Sequence, residues 1–173
     1  MNLSKLKEAR IRRKFDKMLS RLEENSTVSK KEIITVGILT TDEISSKIEL
    51  QSKVESILGI RNSKIYSFKK FDKSATVSYK HFSEKDMNWK GTFVQPNFQI
   101  FLAQPFDLLI GYFDVKNLYL EKAILQANAS FKTGFSGVNS KLYELEIAEA
   151  AIKIDEFLLE LKKYLQILEK LKN

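Results

Sequence analysis

Cysteine is missing from this 173-residue chain, and histidine occurs once, as His81. The first absence removes disulfides, thiolate zinc sites and cysteine nucleophiles. The second removes His-rich metal sites and any chemistry that needs two imidazoles, and it makes a Ser-His-Asp triad a poor expectation. Glycine (six) and proline (two) are scarce, so few stretches have linker composition. The longest apolar run, around residues 106–113, is interrupted by Asp107 and falls far short of the ~20 residues that span a bilayer. No apolar segment of signal-peptide type follows the charged N-terminus. A chain without cysteine suits a reducing compartment, and the expected location is cytoplasmic.

The glycine motifs of phosphate chemistry are absent too. There is no G-x-G-x-x-G and no Walker A sequence, and the stretch after the first apolar run, Thr40-Thr41-Asp42, has no glycine. Gly134-Phe135-Ser136-Gly137 lacks the G-x-S-x-G spacing of a nucleophile elbow. The chain therefore leans toward a binding protein, with no catalytic set, cofactor or metal site expected, and a degenerate nucleotide- or sugar-binding domain leaves an enzyme as the alternative.

What is present is ordinary globular composition. The chain is 43% apolar and 29% charged, which argues against disorder and for one core. Charge is the uneven property. The net is +7, and residues 1–22 carry eight basic side chains against Glu8 and Asp16, a local net of +6. The rest of the chain is left with +1.

That basic segment reads as a helix over residues 3–24, with Ile11, Phe15, Met18 and Leu22 on one apolar stripe and Leu19 beside it. Arg10, Lys14, Lys17 and Arg21 repeat the same spacing one step back. The chain thus divides into a basic amphipathic helix, residues 1–25, and a single α/β domain, residues 26–173. In that domain residues 32–39 form a β-branched run suited to a central strand buried on both faces. Thr40 and Glu43 have capping-box spacing for a helix reaching Leu58, with Gly59 as its stop. Strands are expected at 64–71, 106–113, 129–135 and 142–147, and a strand or extended loop at 75–82. Residues 83–92 read as irregular and 97–103 as one or two helical turns. Further helices are expected at 117–127 and 154–171, the last turning Tyr164 and Leu168 inward among its leucines. Alternating strands and helices point to a three-layer, mostly parallel sheet of half-Rossmann type.

The segments Lys85-Asp86-Met87-Asn88-Trp89-Lys90-Gly91, Phe106-Asp107-Leu108-Leu109-Ile110 and Ala129-Ser130-Phe131-Lys132-Thr133-Gly134 resemble an uncharacterised family of small bacterial α/β proteins with no assigned activity. The resemblance covers most of the chain beyond the basic helix. The Phe-Asp-Leu-Leu-Ile strand followed by Ala-x-Phe-Lys-x-Gly is also similar to the N-terminal half of heptosyltransferase-type glycosyltransferases. That likeness implies a half-Rossmann fold. It does not imply transfer chemistry, because the sequence stops where their sugar-nucleotide-binding domain would begin.

Two site readings from different classes follow. The first is contact with RNA, in the manner of a ribosome-associated factor, through Arg10, Arg12, Arg13, Lys14, Lys17 and Arg21, since clustered cations release counterions from phosphates. The same helix also fits a membrane surface, a protein partner, or plain docking on its own sheet with a solvated basic face. The second is a nucleotide- or sugar-like ligand at the carboxyl ends of the strands, at Thr40, Thr41, Asp114, Ser136 and Gly137. Asp114 also reads as a helix cap, Asp107 as a structural carboxylate, His81 as a half-buried structural residue and Trp89 as a packing anchor. The terminal helix reads as core packing, with pairing to the N-terminal helix or a partner as alternatives.

Overall fold

The computed structural model describes residues 2–22, 29–75 and 80–172. In chain order its elements are α1 (Leu3–Leu22), β1 (Thr35–Thr41), α2 (Asp42–Ser45), α3 (Leu50–Leu58), β2 (Asn62–Phe68), β3 (His81–Phe82), α4 (Pro96–Ala103), β4 (Leu108–Tyr112), α5 (Leu118–Gln126), β5 (Lys132–Phe135), β6 (Leu145–Ile147) and α6 (Ile154–Ile167). Single 3-10 turns stand at Glu84–Asp86 and Ser140–Leu142.

The β-branched run becomes the inner strand β1, with Val36, Ile38 and Leu39 fully enclosed. The sheet order is β3-β2-β1-β4-β5-β6, and every pairing is parallel. This is the strand order of a doubly wound fold. Right-handed crossovers from β1 to β2 and from β4 to β5 run in opposite directions, so α3 and α5 cover opposite faces. α6 packs on α3, and α1 packs on α5 and on the turn at Ser140–Leu142. The terminal helix therefore pairs with α3 rather than with the N-terminal helix.

Several local expectations are corrected. The helix expected to reach Leu58 is two helices. Ser45 and Ser46 donate their hydroxyls to the carbonyls of Asp42 and Glu43, a competing bond that weakens a continuing helix. The cap of α2 is Thr41, which accepts the Ile44 N–H at 3.2 Å. Thr40 instead donates to the Tyr112 carbonyl at 2.6 Å inside the core. Gly59 stops α3 at φ 70, the left-handed conformation that glycine adopts without a Cβ clash. β2 ends at Phe68, before Phe71. Of the segment 75–82 only His81–Phe82 is strand, and residues 76–79 lie outside the described residues, as do residues 23 and 24 of the expected basic helix. The terminal helix ends at Ile167 rather than at residue 171; Phe157, Leu158, Leu161 and Leu165 are buried in it, whereas Tyr164, and Leu168 just beyond it, face solvent.

Two glycines make a trough in the sheet. Gly111 and Gly134 are register partners on β4 and β5, and the Tyr143 ring lies on both. A Cβ at Gly134 would sit 2.3 Å from Tyr143 Cζ, and one at Gly111 would sit 2.4 Å from its hydroxyl oxygen.

Candidate functional site

α1 docks through Ile11, Phe15 and Leu19, spaced four apart and buried. Met18 and Leu22, expected on the same stripe, are 37% and 41% exposed. The docking face is thus rotated by about one residue from the expected one, toward α5. Two lysines secure it. Lys14 donates to the Lys90 carbonyl at 3.0 Å, and Lys122 of α5, only 2% exposed, donates to the Met18 thioether at 3.1 Å. Burial, and next the positive charge of Lys14, hold the Lys122 amine below the usual lysine range.

The six cations proposed from sequence are therefore not equivalent. Lys14 is a latch. Arg12 lies on a flank, 3.5 Å from Glu8. Arg10, Arg13, Lys17 and Arg21, spaced three, four and four apart, share the face opposite the docked one. All four are exposed, and none has an ion-pair partner among the described residues. They form a row about 16 Å long at 1.5 Å per residue.

The strand-end residues divide as well. Thr41 and Asp114 line a crevice of about 700 Å³ between the carboxyl ends of β1 and β4, together with Ile44, Phe113, Val115 and Ile152. Thr40 is fully buried and is unavailable to a ligand. Ser136 is exposed, with its N–H donated to the Ile147 carbonyl at 3.0 Å. Gly137 lines a separate shallow groove with Leu19 and Lys116. Lys116 borders both depressions. Asp114 does not cap α5. Asn117 does, accepting the N–H groups of Tyr119 and Leu120 at 3.1 Å each. Glu121 in turn accepts the Asn117 N–H at 3.0 Å and the Asn139 amide at 3.1 Å. The N-terminus of α5 is thus already engaged by the protein's own carboxamide and carboxylate.

A family of unknown function, DUF6913, matches residues 7–168. The chain belongs to this family. Neither a curated protein nor a solved structure matches the chain. The DUF6913 match starts within α1 and runs through α6, so the row of cations and the crevice both fall inside the matched region.

The remaining single-residue readings resolve simply. His81 Nε2 lies 2.7 Å from Asp42 Oδ1, with Lys69 3.8 Å from the other oxygen. No hydroxyl is hydrogen-bonded to this pair among the described residues. Asp107 is structural, buried at the start of β4. Trp89 is 45% exposed and does not anchor the core. That role belongs to a phenylalanine cluster in which Phe98 stacks on Phe82 at 4.1 Å. No helix among the described residues is long and apolar enough to cross a membrane.

Two features escaped the sequence reading. Lys122 follows Glu121 in α5, and nothing in its spacing separates it from a surface lysine. Lys170 is likewise buried, donating to the Ser29 and Lys31 carbonyls and lying 4.8 Å over the Phe131 ring.

Proposed function

We propose that this protein is a non-enzymatic binding protein that contacts RNA, as a ribosome-associated factor would, through Arg10, Arg13, Lys17 and Arg21. The observation that carries this reading is the row itself: four exposed cations without ion-pair partners among the described residues, on a helix whose other face is fixed to the domain. A docked helix loses little conformational freedom on binding, and three of the four side chains are guanidinium forks suited to phosphate oxygens. Affinity from such a row is largely sequence-independent. Docking also weighs against the membrane-surface reading, because Ile11, Phe15 and Leu19 face the domain rather than lipid.

The test is the four-fold variant R10E/R13E/K17E/R21E. The positions are exposed, so the fold should be retained, as circular dichroism will check. Co-sedimentation with ribosomes and binding to a single-stranded RNA oligomer should be lost, while R12A retains most of the binding. Unchanged binding by the four-fold variant would overturn the reading, and so would wild-type affinity confined to anionic vesicles.

A further inference from the structure

We propose a second, independent site: the crevice between β1 and β4 takes an amino-acid-like zwitterion with a large apolar body. Its position is the point where the chain connections leave in opposite directions along the sheet, the place where open α/β sheets bind ligands. Its volume of about 700 Å³ lies within the range of small-molecule pockets, about 300–1,000 Å³.

The walls choose the body of the ligand. Ile44, Ile48 and Phe113 line the interior, and Val115 and Ile152 stand at the mouth, 72% and 84% exposed. Two large aliphatic side chains left in water at one opening gain most from an apolar occupant. The mouth is also held in shape, because the Tyr112 hydroxyl donates to the Ala151 carbonyl at 2.6 Å and so ties the segment bearing Ile152 to β4.

The charges choose the head group. Four charged side chains line the crevice. Glu43 and Lys47 are 3.6 Å apart and answer each other. Asp114 and Lys116 flank Val115 in the chain, are both exposed, and have no ion-pair partner among the described residues. A dianionic phosphate would face the Asp114 carboxylate and a helix end already engaged by Asn117 and Glu121. A simple cation would face Lys116, and a simple anion Asp114. A molecule carrying an ammonium and a carboxylate together answers both.

The experiment titrates the full chain, labelled with nitrogen-15, with four probes: L-tryptophan, tryptamine, indole-3-propionate and NAD. The first three share one apolar body and differ in charge. L-Tryptophan should shift the amide signals of Thr41, Val115 and Ile152, with tryptamine and indole-3-propionate each about tenfold weaker, the effect of losing roughly 1.4 kcal/mol of ion pairing. D114N should bring indole-3-propionate level with L-tryptophan, and K116M should do the same for tryptamine. Both positions are exposed loop residues, so the variants retain the fold. Tightest binding by NAD, absence of shifts at these amides with L-tryptophan, or affinities indifferent to D114N and K116M would each overturn the proposal. The R10E/R13E/K17E/R21E variant should bind L-tryptophan as the wild type does, which separates failure of this site from failure of the RNA reading.

Discussion

Thr35 and Asp107 hold each other in both directions: the Thr35 hydroxyl donates to Asp107 Oδ2 at 3.2 Å and accepts the Asp107 backbone N–H at 3.0 Å. The same carboxylate oxygen takes the N–H groups of Ile34 and Thr35 at 2.9 and 3.0 Å, and Lys31 Nζ lies 2.8 Å from the other oxygen. Burial by itself pushes this carboxyl up. The Lys31 contact and the two backbone donors outweigh it and leave it below the usual range. The folded pKa thus lies under the unfolded value of about 3.9. The stabilisation is complete above that value and is lost as pH falls through the folded pKa. D107N should cost about 2 kcal/mol near neutral pH, measured by urea unfolding. The gap between the two proteins should narrow below pH ~4. A gap that holds constant into strong acid would contradict the assignment.

Lys122 has a linkage of the same sign in a more alkaline window, but as a penalty relieved rather than a stabilisation gained. Its amine is held low by burial and by Lys14, so the unfolded chain binds the extra proton. Stability from this group therefore rises as pH climbs from the folded pKa toward about 10.4. K122M removes the charge while keeping an unbranched side chain. Lys132 and Lys170 are lowered by burial in the same sense, so the readout is the difference between wild type and K122M. That difference should favour K122M most at neutral pH and shrink in alkali.

Tyr143 separates the two trough glycines. The obstacle to a Cβ at Gly111 is the Tyr143 hydroxyl, and at Gly134 it is the ring carbon. G111A and G134A should each cost about 1–3 kcal/mol. In a Y143F background the G111A penalty should fall and the G134A penalty should stay. Y143F alone should be neutral or stabilising by about 1 kcal/mol, since the buried hydroxyl has no hydrogen-bond partner among the described residues. Equal rescue of both glycine variants would mean the ring shifts as a unit.

The RNA reading also predicts a salt slope. If the four cations of α1 each neutralise one phosphate, log K against log salt should have a slope near −3. That corresponds to about a 50-fold loss of affinity between 50 and 200 mM salt. R13A should flatten the slope by about 0.7, and a slope unchanged in R13A would remove Arg13 from the contact.

Much of the architecture was legible because strong local signals agreed with the fold. The runs around Val36–Leu39 and Leu108–Tyr112 are apolar on both faces, as strands covered by two helix layers must be. Gly59 marked its helix end by conformation. The misses arise where side chains competed with the backbone or where tertiary contacts chose among equivalent patterns. Ser45 and Ser46 ended α2 through their own hydroxyls. Asn117 rather than Asp114 became the cap because it stands next to the first helical residue. Leu19 displaced Met18 on α1 because α5 set the docking direction, and periodicity alone fits both faces. Of the candidate sites, the cations were legible as a cluster. Their division into a latch, a flank and a row depended on Lys90, Glu8 and the rotation of α1.

The all-parallel sheet carries a kinetic consequence. Among the described residues no two strands meet through a hairpin, and β1 finds β4 across a separation of 72 residues. Loop closure must come before any reward from the central pairing, which is the pattern of slow-folding topologies. During synthesis β1 and β2 emerge well before β4, so the edge of β1 that bears Val36 to Thr40 waits uncovered until residues 108–112 arrive. That interval, rather than the finished fold, is when the chain is most exposed to association with its own copies.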